Sequence, residues 1–208
     1  MFALALTGSI ATGKSTVLSM FADEGIPTYS ADQAVHELYA SSAVEPLSKL
    51  FPDCVRDGEV DRKILSAFLV AQPDKIAQLE AIVHPLVREK MEQFLHRSAL
   101  DHVDMVVLEI PLLFETGTAY PVNGIAVTYC SNALQRQRAL TRPGMSEEKL
   151  DTILARQMPQ EEKKRRADFI IDTGTDLVET KAEVEKIIAA CRNNPDTDKK
   201  TSSQEPKN

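Results

Sequence analysis

GSIATGKST, residues 8–16, interrupts an apolar chain: FALALT stands before it at 2–7 and VLSMF after it at 17–21. The six residues before the loop are a continuous small-apolar run of strand length, as a strand buried on both faces of a parallel sheet requires. Lys14 to Glu24 then reads as a helix, stopped by Gly25 and Pro27. Gly8 to Ser15 fits G-x-x-x-x-G-K-[ST], placed between strand and helix as the pattern demands. The glycines let the backbone wrap closely enough for successive N–H groups to converge, and the helix start adds the positive end of its dipole. Such a cradle takes a polyphosphate. Lys14 would neutralise the outer phosphates, Ser15 offers a hydroxyl to Mg²⁺, and Thr16 reaches the α-phosphate side. The bare pattern arises by chance in roughly one chain of this length in a hundred, and its strand–helix setting makes accident rarer.

The rest of the composition limits what that cradle serves. At 208 residues and 43% hydrophobic, the chain can bury one core with a small inserted lobe. A net charge of −7 argues against nucleic acid as a partner, because phosphate backbones select broad basic surfaces. Cys54, Cys130 and Cys191 are odd in number and far apart, matching neither a disulfide framework nor a zinc pattern. No basic leader precedes the first strand and no apolar run spans a bilayer, so a cytoplasmic, soluble protein without a membrane partner is expected. The oligomeric state stays open.

Strand and helix alternate along the chain, with one helical interruption. TYSAD reads as a second strand ending near Asp32, followed by a helix from Gln33 to Ala40. Ile64, Leu65, Phe68, Leu69, Ile76, Leu79, Ile82 and Val83 recur at helical spacing, and Pro85 is expected to open a separate helix to about Ser98. Strands are expected at Asp104 to Ile110, Ile125 to Tyr129 and Asp168 to Asp172, with helices at Ser131 to Arg142, Ser146 to Met158 and after Leu177. From Arg192 the polar composition predicts disorder.

N-K-x-D, which a GTPase needs, is absent, and so is an ABC-type signature, which leaves small kinases favoured. These need a base for the acceptor hydroxyl and mobile cations around the transferred group. Asp32 follows the second strand and should face the ligand crevice, where its carboxylate either takes a hydroxyl proton or caps the helix at Gln33. Glu109, ending the third apolar strand, is the rival as base or as a water-mediated Mg²⁺ contact. Glu115 is less well placed. His84, ahead of Pro85, either meets the acceptor or packs as a cap. Nine Lys or Arg stand against five Asp or Glu between Leu134 and Arg166. The break RPGMS, 142–146, has the hinge chemistry of a lid, and Arg138 and Arg142 lie four apart on one helix face. The KKRR run, 163–166, reads as a solvated surface.

Together these stretches resemble the bacterial dephospho-coenzyme A kinases. The resemblance runs from Met1 to about Gly174 through LTGSIATGKSTV, SAD, IVHPLV, EIPLLFET, QRQRALTRPGMSEE, ARQMP and ADFIIDTG, of which HP and PLLFE are the specific pair. It implies an α/β, three-layer P-loop kinase fold with a parallel central sheet, a helical substrate-binding insertion and a helical lid. The single kinase domain would span 1–191: a nucleotide core of 1–32, 101–114, 122–133 and 167–191, a substrate domain of about 33–100, and a lid of about 115–121 and 134–166. The tail, 192–208, would be disordered. The implied reaction passes the ATP γ-phosphoryl to the ribose 3′-hydroxyl of dephospho-coenzyme A. Catalysis would rest on Asp32 as base, Lys14 and Arg142. Nucleotide contacts would come from Gly8, Ala11, Thr12, Gly13, Lys14, Ser15, Thr16, Arg138 and Arg142, acceptor contacts from Asp32, His84, Glu109 and Leu113, and the Mg²⁺ contact from Ser15. Another metabolite or nucleoside kinase, or a nucleotide-binding regulatory module, are the alternatives. Two departures stand out: Tyr29 and Ser30 occupy the place of a second acid, and DTG, 172–174, replaces the family's DN-x-G near the adenine.

Overall fold

All seven residues of β1, Phe2–Gly8, are buried, so this strand lies inside its sheet and not at an edge. The computed structural model describes residues 1–193 and divides into two units, Met1–Thr28 with the chain from Asp101 onward, and Tyr29–Leu100.

In the first unit β1 is flanked by β5 (Met105–Glu109) and β6 (Gly124–Tyr129), both parallel to it. β7 (Phe169–Asp172) adds to β6, and the sheet has the order β2-β5-β1-β6-β7, in which β2 (Thr28–Ser30) starts on the last residue of this unit. Side chains alternate across a strand, so Phe2, Leu4 and Leu6 share one face. There they pack with Val17 and Phe21 of α1 (Lys14–Asp23) and Val184, Ile187 and Ile188 of α9 (Leu177–Asn193). The opposite face carries α8 (Gln160–Arg166), whose Lys164 ammonium lies 3.8 Å above the Tyr129 ring. The fold is therefore the expected α/β layering. α6 (Asn132–Leu140) and α7 (Glu147–Arg156) form a helical pair, tied by Arg136 to Asp151 at 2.7 Å and to Glu147.

The second unit holds α2 (Ala31–Leu38), α3 (Val44–Leu50), a hairpin of β3 (Val55–Arg56) and β4 (Glu59–Val60), α4 (Arg62–Ala71) and α5 (Ile76–Leu100). Leu38, Leu47, Phe51, Leu65 and Val83 make its core, with the Phe51 and Phe68 rings edge-on at 5.6 Å. Glu37 of α2 pairs with Lys90 of α5, whose ammonium holds the Glu37 carboxyl below its ordinary value.

Several sequence expectations change. α2 begins at Ala31, two residues early, because Ser30 supplies the N-cap to Gln33 N–H; Asp32 lies inside the first turn and is not the cap. Pro85 opens no helix. It sits within the 25-residue α5, where loss of one backbone bond, about 3 kcal/mol, is outweighed by burying Leu79, Ile82, Val83, Leu86 and Val87 in the unit's core. α6 ends at Leu140, so Arg142 lies beyond the helix and shares no helical face with Arg138. The KKRR run is not all solvated, since Lys163 is fully buried beside Glu115. Arg192 belongs to α9 and pairs with Asp104 at 2.7 Å; the rest of the expected tail, 194–208, lies outside the described residues. α3 and the hairpin had no counterpart in the sequence reading. Among the described residues no helix is long and apolar enough to cross a membrane, and all three cysteines are free and buried.

Candidate active site

Gly8 and Gly13 decide the shape of the loop that joins β1 to α1. A Cβ at Gly8 would stand 2.2 Å from the Thr128 hydroxyl and 2.7 Å from that of Thr12, so no other residue fits. Gly13 caps α1 with φ 83, left-handed, and offers no side-chain acceptor to the N–H groups of the first turn. A helix start without a side-chain cap suits an anion. Between the glycines, Thr12 is fixed by its hydroxyl, 2.8 Å from both the Ser9 carbonyl and Thr128 Oγ1. The Lys14 ammonium folds back over the loop and donates to the carbonyls of Gly8 and Ser9 at 2.8 and 3.1 Å. Ser15 and Thr16 follow in the first turn, both exposed.

A cavity of about 560 Å³ opens beside this loop, bringing Gly13 and Thr16 together with Arg138, Arg142, Thr173 and Asp176. Ala11 also lines it. Arg138 is held there by Thr173, donating to its carbonyl at 2.8 Å and its hydroxyl at 3.2 Å. Arg142 is exposed, just past the end of α6. Behind them, burial pushes the Cys130 thiol above its ordinary value.

Glu109 is the last residue of β5, in register with Leu6 of β1, and it is buried. The following turn carries Leu113, also buried, and its Pro111 carbonyl accepts from the Thr7 hydroxyl at 3.3 Å. This places Glu109 beside the strand that enters the loop, with Leu113 in the turn beyond it. Asp32 and His84 stand on the second unit, Asp32 exposed in the first turn of α2, His84 exposed in the interior of α5.

The sequence reading sought cations and carboxylates and so passed over neutral residues that touch the loop. Thr128 and Thr173 hold Thr12, while Gln135 and Gln157 both reach Ile10. The signal for the glutamines was present, since QRQRAL and ARQMP contain them.

A lysine seated over its own glycine loop, at the carboxyl end of the central parallel strand, is the arrangement of P-loop kinases, and this chain has the fold of that class. Within it, the sequence profile of the family described as dephospho-CoA kinase matches residues 2–179, and the chain belongs to that family. A dephospho-CoA kinase of Rhizobium etli is 48% identical over 189 residues, 91% of this chain and 93% of its own. Among solved structures, TT1252 from Thermus thermophilus superposes with a TM-score of 0.78 at 32% identity, covering 91% of this chain and 96% of its own. A dephospho-CoA kinase from Campylobacter jejuni gives 0.68 at 30% identity, with 92% and 98% covered.

Proposed function

We propose that the chain transfers the γ-phosphoryl group of ATP to the ribose 3′-hydroxyl of dephospho-coenzyme A, giving coenzyme A and ADP. The observation that carries this is the family match over residues 2–179. The loop geometry supports it chemically: a helix start with no side-chain cap and a lysine ammonium folded over the loop suit a triphosphate.

In this reading Lys14 leaves its carbonyl partners for the β- and γ-phosphates, and the backbone from Ala11 to Thr16 cradles them, with Gly8 and Gly13 giving the loop its turns. Arg138 and Arg142 meet the phosphates from the cavity side. Asp32 takes the proton of the 3′-hydroxyl as its oxygen bonds to γ-phosphorus and the bond to the β–γ bridging oxygen breaks. His84, Glu109 and Leu113 contact the acceptor. Ser15 fits Mg²⁺ as an exposed hard-oxygen donor. No cluster of three acidic, His or Cys side chains occurs among the described residues, so phosphate oxygens and water would complete the shell. When bound, the ion neutralises charge on the β- and γ-oxygens.

The nucleotide core is assigned to 1–32, 101–114, 122–133 and 167–191, the acceptor to the helical segment 33–100, and the lid to 115–121 with 134–166. The reaction is placed in the cytoplasm, where buried free thiols such as Cys54 and Cys191 stay reduced.

ADP release in a coupled assay, with the product weighed by mass spectrometry, tests the reading. Turnover should require dephospho-coenzyme A. Adenosine and AMP should show a lower kcat as well as a higher KM, because the missing diphosphate and pantetheine contacts would serve alignment. Equal kcat/KM for AMP and dephospho-coenzyme A would overturn it.

A further inference from the structure

Ile10 lies two residues into the phosphate loop, and the two peptide groups that flank its Cα are each held by a glutamine, one through the Ile10 N–H and the other through the Ile10 carbonyl. The Gln135 amide of α6 donates to the Ile10 carbonyl at 2.8 Å, and the Gln157 amide oxygen, in the connection from α7 to α8, accepts from the Ile10 N–H at 2.9 Å. Both glutamines are braced in turn. Gln135 accepts from the buried Gln160 amide at 3.0 Å, and the peptide after Gln157, the Met158 N–H, donates to Glu115 at 2.9 Å.

The residue that follows Ile10 explains what the grip opposes. Ala11 has φ 61, a left-handed conformation costly to any residue with a Cβ, and it is buried. Such a residue keeps that conformation only when its surroundings over-determine it. We infer that Gln135 and Gln157 are positioning residues: they clamp the two peptides that flank Ile10, hold Ala11 left-handed, and so keep the loop in its phosphate-binding shape. A primary amide suits the task, since it donates or accepts without adding a charge beside the phosphate site. Gln135 comes from one arm of the α6–α7 pair and Gln157 from the end of the other. The loop's shape therefore depends on the element that carries Arg138 and adjoins Arg142.

The inference rests on the reading that residues 8–16 hold nucleotide phosphate, and the experiment separates the two. Gln157→Met and Gln135→Met keep length and remove the hydrogen bond. Each is compared with wild type, and with the same change in an Ala11→Gly background, at a temperature where circular dichroism shows every protein folded. Dissociation constants are measured for ADP and for adenosine. ADP affinity should fall roughly tenfold in either glutamine variant, the effect of one lost hydrogen bond. Adenosine affinity should stay unchanged, because it lacks the phosphates. Ala11→Gly should restore most of the ADP affinity in the Gln157→Met background, since glycine adopts φ near +60° unaided. Undiminished ADP affinity, an equal fall for adenosine, or no recovery with Ala11→Gly overturns the clamp. A wild type that fails to bind ADP overturns the loop reading instead. Gln135→Met alone decides the matter if Gln157→Met does not fold.

Discussion

The Thr173 hydroxyl lies 3.0 Å from the carbonyl oxygen of Thr12, so the turn after the last strand touches the loop after the first. The sheet order makes this possible, because β6 alone separates β1 from β7. The same hydroxyl is 3.1 Å from the Tyr129 carbonyl and accepts from Arg138, so its single proton serves one carbonyl at a time. Thr173 thus joins the loop, the end of β6 and Arg138. Thr173→Val keeps the shape and removes the hydroxyl. Stability should fall by about 1 kcal/mol, and ADP affinity several-fold as Arg138 loosens. Urea unfolding and calorimetry read both; no change in either would show the hydroxyl to be idle.

Arg142 is exposed beyond α6, on a segment with Pro143 and Gly144, while Arg138 is tethered to Thr173. Among the described residues no hydrogen bond or ion pair ties the Arg142 side chain, so of the two arginines it is the one that would be able to follow the proposed lid as it closes. Arg142→Ala should lower kcat/KM for dephospho-coenzyme A by roughly 10²-fold, as loss of one charge-stabilising donor does, and narrow its advantage over AMP. A uniform loss for both acceptors would assign Arg142 to ATP binding alone.

Lys163 is fully buried with its ammonium 2.7 Å from Glu115 Oε1, while Glu115 Oε2 finds no hydrogen bond among the described residues. Breaking such a pair leaves a buried charge uncompensated. Lys163→Met should destabilise by about 3–5 kcal/mol, and adding Glu115→Gln should recover part of that while keeping the acceptor for Met158 N–H. The cycle is read by urea midpoints. Strictly additive losses would mean the two charges do not interact.

What the sequence made legible follows from how local the cause is. β1, the glycine loop and α1 were readable because buried runs, turn glycines and helix spacing act within a few residues. Pro85 misled because tertiary burial along α5 overrides a local penalty. The β3–β4 hairpin was missed although Asp57 and Gly58, both at positive φ, are the two-residue turn that VRDGEV announces. Lys163 could not be told from the other three basic residues of its run, since its partner Glu115 lies far off in sequence. The glutamines at Ile10 carry no charge, and only the folded chain shows what they hold.

Burial pushes the Cys191 thiol up to about 12, with Asp168 adding to the effect. An unfolded thiol titrates near about 8.5. Between those values the native state keeps a proton that the unfolded chain releases, so this contribution is complete below about pH 8.5 and is lost as pH rises. The slope is at most about 1.4 kcal/mol per pH unit. Cys191→Ala should therefore lose less stability than wild type between pH 8 and 10, measured by urea unfolding. Parallel pH dependences would contradict this account.

Asp32 and Glu109 compete for the role of base, and the capping of α2 now makes the comparison clean. Ser30, not Asp32, takes the cap, so Asp32→Asn removes only a first-turn charge at an exposed position. That change costs stability about 0.3–1 kcal/mol. A large fall in turnover could then not be blamed on unfolding. With Asp32 as base, Asp32→Asn should cut kcat by roughly 10²-fold or more while leaving ATP binding nearly intact. Glu109 is buried at the end of β5, where Gln keeps its size and much of its bonding. Glu109→Gln should cost less in kcat than Asp32→Asn. Measured side by side, with ADP affinity and unfolding midpoints as controls, the two variants separate the roles. The reverse order, with Asp32→Asn near wild type and Glu109→Gln inactive but folded, would move the base from the start of α2 to the end of β5.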